Sequence, residues 1–413
     1  MPTDRIVGLD IGTSKVRAVA ADFDFGRLVK VAGVGDSCSA GVESGAIVDI
    51  DAASKSIARA LSSLRKNVPA CDTRRIVVGI SGKQIASLNS NAVMAVTRSS
   101  RRITAEDVSR IIEQAKVIVL PPDRDIIHCI PRSFRVDGQE GVVQPIGMFG
   151  NRLELDSHLV TTTFSHTQNI ESAVRLAGAE IRSFVVTSVA SSEAALHVDE
   201  LKLGVMLVDI GDAVSDIAIY MDGSVVYTSA IPSGGGAITH DLSAALRISP
   251  DDAERIKHKY GGASIDSLGD SEDPLFAVTE IGSGIRKSLS NLELGEIIQP
   301  RLEELLSLIR AELIKSGCYN LLAAGVVLTG GGSRLCGAAE NSARVLRMPV
   351  RLGAPLVDEL PSIYRIPEYS TGIGLTLFAA SNAYNLRPKK RLDLAEALTR
   401  TRAFFSRVNE LVD

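Results

Sequence analysis

The chain has 413 residues, 45% of them apolar and 23% charged, with a net charge of −4. That length exceeds a single hydrophobic core, so two or more domains are expected, and the mild negative balance gives no general reason to bind nucleic acid. Cys38, Cys71, Cys129, Cys318 and Cys336 are scattered with no CxxC pairing, which argues against a disulfide framework or a zinc site and for a reducing cytosol.

Met1-Pro2-Thr3-Asp4-Arg5 runs straight into a strand, and aspartates interrupt the long apolar runs, so neither a signal peptide nor a bilayer span is expected. The apolar segments on either side of Asp10-Ile11-Gly12-Thr13-Ser14-Lys15 read as two strands. The turn is too short for a crossover helix, so they form a β-hairpin. Gly12 lets backbone amides approach a ligand, Thr13, Ser14 and Lys15 add hydroxyls and an ammonium, and Asp10 can hold magnesium through water. A strand at Val29–Gly35, a helix near Ala52–Lys66 and a strand at Arg75–Ser81 follow.

Residues 84–165 change character: a strand at Ala92–Val96, a helix opened by Thr104 as N-cap, and strands at Ile126–Phe134 and His158–Phe164. They read as an inserted α+β subdomain. A helix over Gln168–Ala177 stops at Gly178, and a strand at Phe184–Thr187 and a helix at Ser191–His197 complete the first half.

The second half repeats the hairpin around Asp209-Ile210-Gly211-Asp212-Ala213-Val214-Ser215, then adds a strand at Ser224–Ala230. Gly234-Gly235-Gly236 precedes a helix at Ala237–Leu246, and Ser249 or Asp251 caps a helix at Ala253–Tyr260. A polar loop spans 263–274, an amphipathic helix Ile298–Lys315, and a buried strand runs into Gly330-Gly331-Gly332-Ser333-Arg334. A helix covers Gly374–Asn382. If the halves face each other, Asp10 and Asp209 hold magnesium between them, and Gly12 to Lys15 with Gly211 cradle phosphates. Gly235 and the Gly330–Arg334 segment pass close to the nucleoside, and Glu254 and Lys257, one helical turn apart, suit ribose hydroxyls. No GxxxxGK[ST] run is present, which excludes a P-loop.

After Pro388 comes a basic connector, Lys389-Lys390-Arg391, and then an amphipathic stripe. Phe404, Phe405, Val408, Leu411 and Val412 share a helical face edged by Arg400 and Arg407, a pattern suited to an anionic bilayer surface.

The order hairpin, hairpin, Glu-x-x-Lys helix, strand plus triple glycine resembles the actin-like ATPase superfamily, and within it the FtsA family of bacterial cell-division proteins. Further matches are Ser81-Gly82-Lys83, Gly147-Met148-Phe149-Gly150-Asn151-Arg152-Leu153, Ala190-Ser191-Ser192 and Pro300-Arg301-x-x-Glu304-Leu305. The resemblance implies an α/β, actin-like fold: two duplicated ribonuclease-H-like lobes around a nucleotide cleft, with the α+β insert in the first lobe. It implies ATP and magnesium as ligands, and a division of the chain into five parts. These are a first-lobe core (1–83, 166–197, 362–386), a polymerisation insert (84–165), a second-lobe core (198–245, 313–361), a small second-lobe subdomain (246–312), and a linker with a membrane helix (387–413). Implied partners are the C-terminal peptide of the tubulin-like FtsZ at Arg286, Lys287, Arg301 and Glu304, further copies of the chain in filaments, anionic inner-membrane lipid, and other divisome proteins. The implied location is the cytoplasmic face of the inner membrane at the division site. One departure stands out: the family usually has Asp-Ile-Gly-Gly-Gly-Thr where this chain has Asp209-Ile210-Gly211-Asp212-Ala213-Val214. An aspartate near a polyphosphate repels it unless a cation intervenes, so weak hydrolysis and less secure binding are expected. The alternatives are that Asp212 points away, coordinates the metal, or is tolerated drift in a protein that needs nucleotide only as structural glue. The rival readings are a pilus-assembly adaptor and a small-molecule kinase of the same superfamily.

Overall fold

A computed structural model describes residues 4–24, 26–69, 71–97, 100–262, 276–357 and 360–386. Strands β1 (Asp4–Ile11), β2 (Lys15–Asp24) and β3 (Arg27–Cys38) form an antiparallel meander. The short pair β4 (Val42–Glu43) and β5 (Ala46–Ile47) leads to α1 (Ile50–Asn67), whose N-cap Asp49 accepts from the Ala52 amide at 3.0 Å. Ile57, Leu61 and Leu64 face the sheet with no exposure, each stabilising the lobe by about 1.5–3 kcal/mol. Strand β6 (Arg75–Ile80) then lies parallel to β1.

The next elements form a separate layer: β7 (Ala86–Ala95), α2 (Ala105–Ala115), β8 (Arg124–Val136), β9 (Gln139–Val142) and β10 (Arg152–Thr163). Their sheet has the order β7-β10-β8-β9 and a core of its own around Ile103, Ile111, Phe134, Leu153 and Leu155. This layer also docks on the second lobe. Ser87 donates to the Thr228 carbonyl at 2.7 Å, and buried His158 lies between Asn89 and Thr228. The chain returns through α3 (Phe164–Leu176), β11 (Glu180–Val186) and α4 (Thr187–Ala195).

The second lobe begins with α5 (Val198–Leu203) and the meander β12 (Val205–Ile210), β13 (Ser215–Met221) and β14 (Ser224–Ile231). Helices α6 (Gly235–Leu246) and α7 (Pro250–Tyr260), the hairpin β15 (Phe276–Thr279) and β16 (Arg286–Leu289), and α8 (Asn291–Lys315) share one continuous core with its sheet. Then come β17 (Val326–Thr329), α9 (Ala338–Leu346) and β18 (Val350–Leu352), before α10 (Ser370–Leu386) crosses back to pack on α4, β1 and β2. The two large sheets, β3-β2-β1-β6-β11 and β14-β13-β12-β17-β18, have the same order and the same mixture of antiparallel and parallel pairs. The expected duplication is present.

Several boundaries differ from the sequence reading. Helix α8 starts seven residues before Ile298, because Ser290 and Glu293 form a reciprocal capping box and Leu294 gains full burial; Pro300 is carried inside the helix. Strand β10 begins at Arg152 rather than His158, since Leu153 and Leu155 complete the insert core. Phe164, read as the end of that strand, opens α3. Helix α4 begins at Thr187 rather than Ser191, and the triple glycine leads into a 3₁₀ turn at Gly331–Arg334, with α9 starting only at Ala338.

Candidate functional site

Each lobe turns its first two strands with the same device. The Gly12 amide donates to the Lys15 carbonyl at 3.0 Å, and the Gly211 amide to the Val214 carbonyl at 2.9 Å. A β-carbon on either glycine would stand 2.9 or 2.8 Å from the same carbonyl oxygen. Both glycines are therefore required by the turn itself, before any ligand is considered. Thr13 is half-buried, and Ser14 and Lys15 are exposed at the tip of the first turn.

Asp10 and Asp209 end equivalent strands, and their charges repel across the cleft. Asp209 is 7% exposed and accepts hydrogen bonds from Ser191 Oγ at 2.5 Å and Thr371 Oγ1 at 2.8 Å. Burial pushes Asp209 above the usual carboxylate range, and those two bonds hold it back. Asp10 is pushed up to about 7, first by loss of bulk water and then by Asp209, with Arg17 opposing. Arg17 is buried beneath it, bonded to Asp36 at 2.8 Å and to the Glu368 carbonyl, and stacked 4.0 Å from the Tyr369 ring centre. A third carboxylate, Asp216, is likewise pushed up to about 7 by burial, against the bonds from Ser81 Oγ at 2.8 and 2.6 Å.

On the other side of the turn, Gly235 is where four segments meet. A β-carbon there would lie 3.6 Å from the Gly211 carbonyl, 3.6 Å from Gly332 Cα and 3.7 Å from Lys257 Nζ. Lys257 is pinned by the Gly235 carbonyl at 3.0 Å, Thr239 Oγ1 at 2.7 Å and Glu254 Oε2 at 2.7 Å. Burial raises Glu254, but bonds from Lys257 and Thr239 more than offset it and hold the carboxyl below its ordinary value. Gly330 needs its positive φ of 81°, and a side chain there would strike Asp209 Oδ1; one on Gly332 would strike Ile210. Gly331 is open, with only Glu368 Cγ within 4 Å of a β-carbon position.

The structure brings Asp10, Asp209, Gly211, Gly235, Glu254, Lys257 and Gly332 around one cleft. It places Ser333 and Arg334 differently. Ser333 is buried and donates back to the Gly330 carbonyl at 2.7 Å, while Arg334 pairs with Glu368 at 2.8 Å. Of the candidate peptide-binding residues, Arg301 already forks onto Asp241 and also bonds Glu304, and Lys287 pairs with Glu280. Arg286 is exposed on β16. The candidate membrane residues Arg400, Phe404, Phe405, Arg407, Val408, Leu411 and Val412 lie outside the described residues. Sequence reasoning assigned no role to Ser81, Ser191, Thr371, Arg17 or Asp216. Ser81 and Ser191 sat within segments that match the FtsA family; Thr371 carried no local signal.

With this geometry in hand, comparison with known proteins is decisive. Residues 82–161 match the family described as "SHS2 domain inserted in FTSA", and residues 206–374 match "Cell division protein FtsA". The cell division protein FtsA of Pseudomonas aeruginosa is 39% identical over 90% of this chain and 88% of its own length. The chain belongs to the FtsA family of cell-division proteins. The FtsA proteins of Bacillus subtilis (37% identical, 91% of this chain and 84% of the relative) and Escherichia coli K12 (34%, 93% and 92%) agree. Solved structures share the actin-like fold at low identity. A PilM–PilN type IV pilus biogenesis complex superimposes with a TM-score of 0.63 at 16% identity, covering 92% of this chain and 99% of that one. MreB5 of Spiroplasma citri bound to AMPPNP gives 0.55 at 14%, covering 94% and 99%. The FtsA relatives favour a cell-division protein over the pilus-adaptor reading. Among the described residues, no helix is long and apolar enough to cross a membrane.

Proposed function

We propose that this FtsA-family protein binds ATP with magnesium between its lobes, assembles with further copies of itself, and ties the FtsZ ring to the cytoplasmic membrane through residues 387–413. The observation that carries the nucleotide part is the meeting of Gly211, Gly235, Gly332 and Lys257 at one point of the second lobe, on the side of the turn that also carries Asp209, which faces Asp10 of the first lobe. The bare backbone leaves room that side chains would fill, and a cation beside the two carboxylates would favour the ionised form of both. Among the described residues no three His, Cys, Asp or Glu side chains gather to hold a metal alone. Magnesium here would need water and phosphate oxygens to complete its shell. Bound magnesium would neutralise phosphate charge; Asp10 and Asp209 would orient its water ligands, and Lys257 and Glu254 would hold the sugar.

The anchoring part rests on the arginine-edged apolar stripe of the tail and on family membership. Co-sedimentation with anionic vesicles tests it: deletion of 394–413 is expected to abolish pelleting. Undiminished pelleting would remove the anchor. The FtsZ peptide is assigned to the α8 and β16 surface, where Arg301 would have to exchange Asp241 for a peptide carboxylate.

A further inference from the structure

Asp212 stands where the family's usual motif has glycine, and the sequence alone left it as an obstacle to phosphate, a metal ligand or a side chain pointing away. Its position in the fold is different. The turn hands its carbonyls to the start of α6: the Gly235 amide donates to Gly211 O at 2.9 Å, and the Gly236 amide to Asp212 O at 2.7 Å. That pairing swings the Asp212 side chain over Gly236, where a β-carbon would come within 2.7 Å of Oδ1. The charged groups that act on it are Lys257 and Glu254, not Asp10, Asp209 or Asp216. It is half-buried, and no donor among the described residues holds its carboxylate. Lys257 cannot, because it is already committed to the Gly235 carbonyl, Thr239 and Glu254.

We infer that Asp212 and Glu254 are the two acceptors of a clamp for the vicinal hydroxyls of a ribonucleoside polyphosphate, with Lys257 fixing the spacing between them. A diol offers two donors, and a carboxylate is an acceptor-only group with several lone pairs, so two carboxylates flanking a pinned ammonium match it. Glu254 keeps acceptor capacity beside its bonds to Thr239, Lys257 and His258. Asp212 is thus a specificity residue on the sugar side of the turn. This rests on the nucleotide reading above and goes beyond it in naming the sugar as what is discriminated.

The test is titration calorimetry on the full chain with magnesium and ATP, 2′-deoxy-ATP or 3′-deoxy-ATP. The parent is expected to prefer ATP over at least one deoxy analogue by about tenfold, the value of one hydrogen bond to a charged group. Asp212→Gly should lose about that factor for ATP, leave the analogue unchanged and so level the two. Asp212→Asn keeps the shape without the charge and should fall between. Tighter ATP binding by Asp212→Gly with the preference intact would overturn the inference and restore Asp212 as a phosphate obstacle. A parent that binds none of the three nucleotides would take down the nucleotide reading itself.

Discussion

The two phosphate-side hairpins are near copies in backbone and opposites in charge. On the first, Asp10 lies across the ladder from Arg17; on the second, Asp209 lies across from Asp216 at the same register. The two turns share the glycine and the strand-end carboxylate, while the facing residue is a cation in the first and an anion in the second. The first lobe satisfies its pair by an ion network: Arg17 holds Asp36, the Glu368 carbonyl and the Tyr369 ring. The second uses neutral hydroxyls, Ser191 and Thr371 on Asp209 and Ser81 on Asp216. A hydroxyl donor stabilises a carboxylate without adding charge, so the second-lobe pair keeps no cation to offset its burial, and both members are pushed above the usual carboxylate range.

Breaking the cationic half should cost most. Arg17→Met leaves the Asp36 carboxylate and the Glu368 carbonyl without their donor and removes the charge that favours ionisation of Asp10. The Asp36 side chain is 41% exposed, so water partly replaces the lost bond. The expected loss is about 3 kcal/mol, the lower end for breaking a buried pair. Denaturant melts check it, and a loss below about 1 kcal/mol would mean that the ladder partner is dispensable.

The anionic half should reveal itself through pH. Asp216 is held protonated in the fold until about pH 7, whereas the unfolded chain ionises near its ordinary value. Between roughly pH 4 and 7 the native state therefore binds the extra proton, and its contribution to stability is lost as pH rises. Buried His128 and His158, both lowered to about 4, push the other way below about pH 6.5. A difference measurement separates the two. Without divalent cation, Asp216→Asn should gain on the parent by about 2 kcal/mol between pH 5 and pH 8. A flat difference would show that Asp216 is ionised throughout.

How far these features could be read from the chain follows from how local they are. The hairpins were visible because Asp-x-Gly between apolar strands is a short-range pattern, and the Thr104 and Ser249 caps are side-chain contacts three residues long. The start of α8 was missed because its apolar stripe was read only from Ile298 onward, whereas the capping box of Ser290 and Glu293 lies ahead of it. Ser191 and Thr371 meet on Asp209 although they are 180 residues apart. Nothing in either segment announces that, since a single hydroxyl in the first turns of a helix is ordinary. Asp212 was legible as a departure, but which of its possible directions it takes was not: the swing over Gly236 depends on how α6 caps the turn.

That capping supplies the smallest and most discriminating prediction. The second turn is backed by α6, and the first is not; its Ser14 carbonyl is met instead by the Ser39 amide. Within α6's approach, two adjacent glycines have separate reasons to be glycine. A β-carbon on Gly234 would come within 2.4 Å of the Gly211 carbonyl, so Gly234→Ala should destabilise the apo-protein. On Gly235 the neighbours lie at 3.6 Å and beyond, which is ordinary contact, and the backbone is already helical. Gly235→Ala should thus leave apo stability within about 1 kcal/mol of the parent, or raise it through better helix propensity. Nucleotide affinity should nevertheless fall by about tenfold, because the added methyl occupies the space between Gly211, Gly332 and Lys257 where a ligand must pass. Equal affinity for both would place the ligand elsewhere, whereas a stability loss matching Gly234→Ala would make Gly235 a packing residue and nothing more.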